Sequence, residues 1–337
     1  MRNRDLVSAL LVVAVTIFLP GPIHAGGRLN VAIVFATGGL GDKSFNDSAM
    51  EGIKQAVKKY GVRYDYAEPQ AIAEYHTYLS RFAASKRYDL IISIGFDQAD
   101  ALGDIAGRFG AQKFAIVDMV VDKPNVASYV YKEKERGFLV GYAAALMTTQ
   151  TRDKRINKDR IIGVIGGMKI PLIDANIAGF IAGARRADPK VKTLHSYVGH
   201  WADPAKGKEL TIAMFEQGAD IVWGAAGRSG LGVINAAKQR NRYALGCDAD
   251  QGYLAPGHVL TNGLKLVDNT VLIAIQQVVE GSFSGRIYQL GVKEKALGYS
   301  RSLLPEEIIK KLEIVKQRII AGDIDIPDKI GAAKNIQ

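Results

Sequence analysis

Cysteine is almost missing from this chain, the only one being Cys247. An intrachain disulfide is therefore excluded, and no cysteine near the N-terminus offers a site for a lipid. Histidine is scarce as well, with His24, His76, His195, His200 and His258, and none belongs to an HExxH pair or a close metal-ligand cluster. The G-x-S-x-G elbow of many hydrolases is absent, residues 227–232 reading GRSGLG. The dinucleotide spacing G-x-G-x-x-G fails because Gly39-Leu40-Gly41 runs on into Asp42-Lys43-Ser44. The phosphate loop fails too, since no glycine-lysine-serine/threonine run closes the turn. Low-complexity tracts and short repeats are lacking. Each absence points away from catalysis and toward binding, and no cofactor is expected.

The N-terminus carries Arg2 and Arg4, an apolar run LVSALLVVAVTIFL, a break at Pro20-Gly21-Pro22, and Ile23-His24-Ala25. A basic start, a short apolar core and a small residue at the cut describe a secretory signal peptide over residues 1–25. The run is below the roughly 20 residues that span a bilayer as a helix, and no later stretch is long and apolar enough. Export without an attachment cysteine predicts a periplasmic protein that is soluble after cleavage. Lys and Arg number 44 against 34 acids, a net charge of +10. The excess is scattered, and the densest cluster, residues 152–160, includes two aspartates. Without a zinc-finger, RNA-binding or helix-turn-helix signature it reads as a solvated loop, with no nucleic-acid partner.

Apolar strand-like segments occur at 29–35, 89–94, 113–118, 160–165, 220–224 and 243–247. Weaker ones lie at 62–67, 126–130, 192–198 and 258–261. Helical periods separate them: Ala49, Ile53, Ala56 and Tyr60; Val267, Val271, Ala274 and Val278; Ile308, Leu312, Val315 and Ile319. Ser48 and Glu51 have the spacing of a capping box. Asp203-Pro204 is another helix start, with proline at the first helical position. Alternating strands and helices imply mainly parallel sheets covered on both faces. Ten strands are many for one small sheet, so two lobes are expected. The expected division is residues 26–130 plus about 262–285 for one lobe, and 131–261 plus part of 286–300 for the other. Residues 301–337 form a helix and tail.

The richest segment is ATGGLGDKSFNDS at 36–48, directly after the first strand. A glycine-rich turn at the carboxyl end of such a strand is where open α/β sheets bind ligands. Gly38, Gly39 and Gly41 allow main-chain amides to face a ligand. Asp42 can accept hydrogen bonds, Phe45 can cover a flat ring, and Asn46 can pair with a hydroxyl. Asp47 is placed to serve the following helix. Other strand ends carry similar chemistry: Gly95-Phe96-Asp97, Asp118, Gly199-His200-Trp201-Ala202-Asp203, the turn at Gly227, and Gly246-Cys247-Asp248-Ala249-Asp250. Trp201 is either a second stacking ring or a prop for its loop. Asp248 can accept from two adjacent hydroxyls. Asp250 supports either ligand or turn, and Lys265 either donates into a cleft or lies on the surface. Cys247 reads as a small buried residue.

These pieces together resemble the basic membrane protein family of ABC-transporter substrate-binding proteins, which includes the bacterial purine-nucleoside receptor. The matching segments are GGLGDKSFND at 38–47, the GF step at 95–96, FAIVD at 114–118, WADPAKGKE at 201–209, the turn at 227–232, GCDADQ at 246–251 and KLVD at 265–268. The resemblance implies the type I periplasmic-binding-protein fold, two α/β lobes around a ligand cleft joined by three crossovers, and no enzymatic activity. It also implies an ABC permease partner, a small-molecule nucleoside as ligand, and a monomer. Carried over, Phe45 and Trp201 would stack on the base and Asp42 would take its edge. Asn46, Asp248 and Lys265 would hold the ribose, with Gly227 nearby and Asp118 at the cleft. Arg228 departs from the small residues usual in its turn and either enters the cleft or faces solvent. Rival readings are a receptor for another polar metabolite, a sensor partner, and a secreted nucleoside hydrolase.

Overall fold

The computed structural model describes residues 28–334, so the signal segment 1–25 lies outside the described residues. Six strands build the first sheet: β1 (Asn30–Val34), β2 (Arg63–Ala67), β3 (Leu90–Ile94), β4 (Phe114–Val117), β5 (Val126–Tyr131) and, from far along the chain, β11 (Ile287–Leu290). The second contains β6 (Ile161–Gly166), β7 (Lys192–Tyr197), β8 (Ala219–Ala225), β9 (Tyr243–Asp248), β10 (Val259–Lys265) and β12 (Leu297–Tyr299). Their orders, β11-β5-β4-β3-β1-β2 and β12-β10-β9-β8-β6-β7, are the same arrangement twice. All pairings are parallel except β10 with β12. The inner strands β3 and β4 are buried throughout, LIISI and FAIV, as a sheet covered on both faces requires.

Helices α1 (Phe45–Tyr60), α2 (Tyr75–Ser85) and α3 (Ala99–Arg108) flank the first sheet. After β5 the chain crosses over, and α4 (Glu133–Met147) packs against α5 (Pro171–Ala187) in the second lobe. That lobe also has α6 (Pro204–Glu216), α7 (Gly230–Arg240) and α9 (Glu306–Ala321). After β10 the chain returns, and α8 (Val267–Val279) packs on α1. The stretch from β11 to β12 makes the third crossing. Expected boundaries shift accordingly. Residues 262–265 belong to the second sheet through the β9–β10 pairing, and β11 belongs to the first through its pairing with β5.

The α4–α5 contact is close because glycines line it on both sides. A Cβ on Gly141 would stand 2.1 Å from the Phe180 carbonyl oxygen, and one on Gly183 would stand 2.1 Å from that of Phe138. This approach fixes the first turn of α4, which carries two charged residues toward the space between the lobes. The α6 start is as expected: Asp203 caps it, accepting from the Lys206 amide at 2.9 Å, and Pro204 is the first helical residue. The α1 start is not. The helix begins at Phe45, so Ser48 is inside it, and its hydroxyl instead accepts from the Asp268 amide of α8 at 3.2 Å.

Candidate functional site

The carboxyl ends of both sheets face one cleft, enclosing about 630 Å³ with its mouth included. Its wall contains Asp42, Phe45, Asn46, Asp118, Trp201, Gly227, Arg228, Asp248 and Lys265, whereas Asp250 lies outside it and supports its own turn, accepting from the Gly252 amide at 2.9 Å and the Asn262 side chain at 3.0 Å. Phe45 comes from α1 of the first lobe, and Trp201 from the loop after β7 of the second.

Asp42 does more local work than expected. One carboxylate oxygen accepts from the amides of Ser44 (2.9 Å) and Asp47 (3.1 Å). The other accepts from the Asn46 amide (2.8 Å) and its side-chain nitrogen (3.2 Å). A carboxylate has about four acceptor sites, and these bonds fill them. Asp42 therefore caps the start of α1 and has no lone pair left for a base edge. Burial raises its pKa to about 6, against the pull of those backbone bonds. Asp47 serves the turn by accepting from the amides of Gly41 (2.7 Å) and Lys43 (3.1 Å). Asn46 accepts from the Ala36 amide at 3.0 Å, leaving one side-chain N–H for a ligand.

At the crossovers lies a buried charge network. Lys265, 2 % exposed, donates to Asp118 at 2.5 Å and Glu133 at 2.6 Å. Arg136 donates to Glu133 at 2.8 Å, Asp248 at 2.5 Å and Asn176 at 3.1 Å. Asp248 also accepts from the Ser44 hydroxyl across the cleft. Burial raises Asp118 to about 6, while Lys265 beside it pulls the other way. Burial pushes Glu133 upward too, but Arg136 and Lys265 overcome it and hold it at about 2. Lys265 uses two of its three donors and keeps one. Its ammonium stands 5.0 Å from the Phe45 ring centre and 4.5 Å from that of Tyr131. Asp118 (φ 78°) and Asp248 (φ 66°) end the equivalent strands β4 and β9 in the left-handed region, a strain that clusters at ligand sites.

Trp201 is a built wall. A Cβ on Gly167 would fall 2.3 Å from its six-membered ring, so the indole rests on bare backbone. Phe96 meets it edge-on at 6.5 Å. Gly167→Ala should displace the ring while leaving the β-sheet intact. A loss of about tenfold or more in ligand affinity with little change in melting temperature is expected from losing one stacking surface. Unchanged affinity in calorimetry would remove Trp201 from the binding wall.

Arg228 enters the cleft, donating across it to the Leu40 carbonyl at 2.5 Å. Gln251 spans the lobes similarly, donating to the Lys43 carbonyl at 2.9 Å. Cys247 is buried as expected, and burial together with the Asp248 carboxylate pushes its thiol upward, away from nucleophile chemistry.

The sequence model for ABC-transporter substrate-binding proteins of the PnrA-like type matches residues 29–329. The chain belongs to this family. As a PnrA-like protein it is a non-enzymatic extracytoplasmic receptor of an ABC importer, with a small-molecule ligand and a membrane permease as partner. An uncharacterized lipoprotein of Pyrococcus horikoshii is 33% identical over 323 residues, covering 87% of this chain and 78% of that protein. A second, from Pyrococcus abyssi, is 32% identical over 318 residues, 89% of this chain and 77% of the relative. An ABC-transporter solute-binding protein from Aeropyrum pernix superposes with a TM-score of 0.83 at 30% identity, covering 91% of this chain and 98% of its own.

The archaeal names correct one expectation. Both relatives are lipoproteins, proteins held at a membrane, so the reading of a freely diffusing PnrA-like receptor does not stand. It rested on a missing cysteine near the N-terminus, which speaks to one attachment chemistry and not to association with a membrane.

Glu133 and Arg136 were missed from sequence because KEKER at 132–136 looks like a solvated run. The readable signal was their company: the rest of α4, GFLVGYAAALM, has no polar face to put them on.

Proposed function

We propose that the ligand is a nucleoside, with a purine nucleoside favoured, and that the receptor works as a monomer at the outer face of the membrane carrying its permease. The carrying observation is the division of the cleft. Aromatic side chains from opposite lobes, Phe45 and Trp201, suit a flat base. Strand-end carboxylates Asp118 and Asp248, with the spare donor of Lys265, suit a polyhydroxylated sugar. Four acids line the cleft, Asp42, Asp97, Asp118 and Asp248, against three cations, Arg136, Arg228 and Lys265. Arg136 and Lys265 are already bound by acids, which disfavours a phosphate and supports a nucleoside over a nucleotide. Closure around the ligand dries these contacts and strengthens them, and the closed state it favours is the form a permease can recognise.

Calorimetric titration of refolded, ligand-free protein against purine and pyrimidine nucleosides tests this. One-to-one binding of micromolar or tighter affinity, with the nucleoside recovered unchanged, is expected. Silence across the whole panel would refute the nucleoside reading and turn attention to other polar metabolites.

A further inference from the structure

Two buried polar atoms on side chains of the cleft wall lack a partner: Asp97 Oδ1 and Arg228 Nε. They occupy equivalent places. Asp97 is the middle residue of the helical turn Phe96–Gln98 that leaves β3, and Arg228 the middle residue of the turn Gly227–Ser229 that leaves β8. Strands β3 and β8 hold the same position in the two sheets. An acceptor in one lobe and a donor in the other thus come from matched positions.

Both are held by their other atoms. The second Asp97 oxygen accepts from the Tyr75 hydroxyl at 3.0 Å, and that hydroxyl accepts from the Thr37 amide at 3.0 Å. Bare backbone adjoins Asp97 Oδ1: a Cβ on Gly95 would lie 3.1 Å from this oxygen and 3.2 Å from the Ala36 Cβ. Arg228 is fixed by its bond to the Leu40 carbonyl and lies against Gly39 and Gly41. Leaving a buried donor and a buried acceptor unpaired is costly, so a ligand that pairs both gains over one that pairs neither.

We propose that Asp97 and Arg228 read the polar edge of the base and select 6-oxopurine nucleosides over 6-amino ones, an inference that rests on the nucleoside reading above. A guanidinium only donates and a carboxylate only accepts. In a 6-oxopurine, O6 and N7 are neighbouring acceptors, the pair that arginine recognises in guanine, and the N1–H donor lies on the other side of O6. Arg228 at O6 and N7, with Asp97 at N1–H, satisfies both protein atoms. Adenine in the same pose turns its amino donor toward Arg228 and its bare N1 toward the carboxylate, a mismatch at both.

The test compares inosine, adenosine and 1-methylinosine on the wild type, Asp97→Asn and Arg228→Met by calorimetry. Inosine is expected to bind the wild type about tenfold or more tighter than adenosine, the scale of one unmade buried hydrogen bond. Methylation at N1 should cost a similar factor in the wild type and little in Asp97→Asn. Arg228→Met should narrow the inosine-to-adenosine ratio. The ligand-side change leaves the fold untouched, and asparagine keeps an acceptor for Tyr75. Adenosine binding as tightly as inosine overturns the selectivity while leaving the nucleoside reading standing. A methylation cost that persists in Asp97→Asn overturns the role of Asp97. Absence of any nucleoside binding overturns both.

Discussion

Glu133→Ala is expected to lower the stability of this protein by about 3–5 kcal/mol, the usual cost of removing one partner from a buried ion pair. Glu133 is 4 % exposed and, among the described residues, is the only acid hydrogen-bonded to both buried cations, with one oxygen on Lys265 and the other on Arg136. The same oxygen that meets Arg136 accepts from Asn176 at 2.9 Å. Alanine would leave each cation with a single acid and would strip Asn176 of a partner. Coulomb attraction to Asp118 and Asp248 remains, so the loss falls short of exposing two free charges. Glu133→Gln keeps the shape and acceptor oxygen and should fall between wild type and alanine. Denaturant titration checks both variants. A loss below about 1 kcal/mol, the scale of exposed ion pairs, would mean that water reaches the network and that its role is positioning alone.

Acidification from pH 8 to pH 5 should stabilise the ligand-free protein. Burial raises Asp42 to about 6, Asp118 to about 6 and Asp220 to about 7. Such groups bind protons in the folded state at pH values where the unfolded chain has released them. Stability therefore rises as pH falls from 8 through these folded values toward the unfolded ones near 4. Glu133 and Asp153, both held at about 2, act in the opposite sense. Their stabilising contribution is present above the ordinary carboxylate range and is lost only as pH falls below it, so it is flat between pH 5 and 8. His195 opposes the trend modestly, because burial and then Lys334 lower its pKa and the unfolded chain binds its proton first. Two pKa units correspond to roughly 3 kcal/mol per group, an upper bound once coupling is counted. A net rise on the order of 5 °C in melting temperature at matched ionic strength is expected. Asp220→Asn, distant from the cleft residues and bonded to Thr148, should remove its share of the slope. A melting temperature that falls steadily from pH 8 to pH 5 would contradict the burial of these acids.

Much of the scaffold was legible because its inner strands are buried on both faces, and burial writes itself as apolar runs, while the exposed edge strands β2 and β7 gave only weak signals. All ten strand segments read from the sequence are strands. The two that escaped, β11 and β12, are short and at sheet edges. IYQL alternates exposed and half-buried residues and makes no apolar run. Cleft residues at strand ends were legible because topology brings such ends together. Their partners were not. Whether Asp42 faces a ligand or its own helix depends on a turn that bends back by five residues. Whether Arg228 points inward depends on Leu40, 188 positions away along the chain. Likewise the charged first turn of α4 is buried by Lys265 and Asp248, contacts that no local pattern encodes.

The crossovers have a kinetic consequence. Lys265 and Glu133 lie where the chain passes between lobes, close to any axis about which those lobes rotate. Points near an axis travel little, so this charged end of the cleft keeps its shape whether the protein is open or closed. Arg228 and Gln251 bond to the opposite lobe from the loops after β8 and β9, and those bonds must break when the lobes part. A visiting molecule would meet a ready-made landing place deep in the open protein and only afterward be shut in. Changes near the axis should therefore act on arrival, and changes to the interlobe bond of Arg228 on residence time, a separation that stopped-flow rates can read.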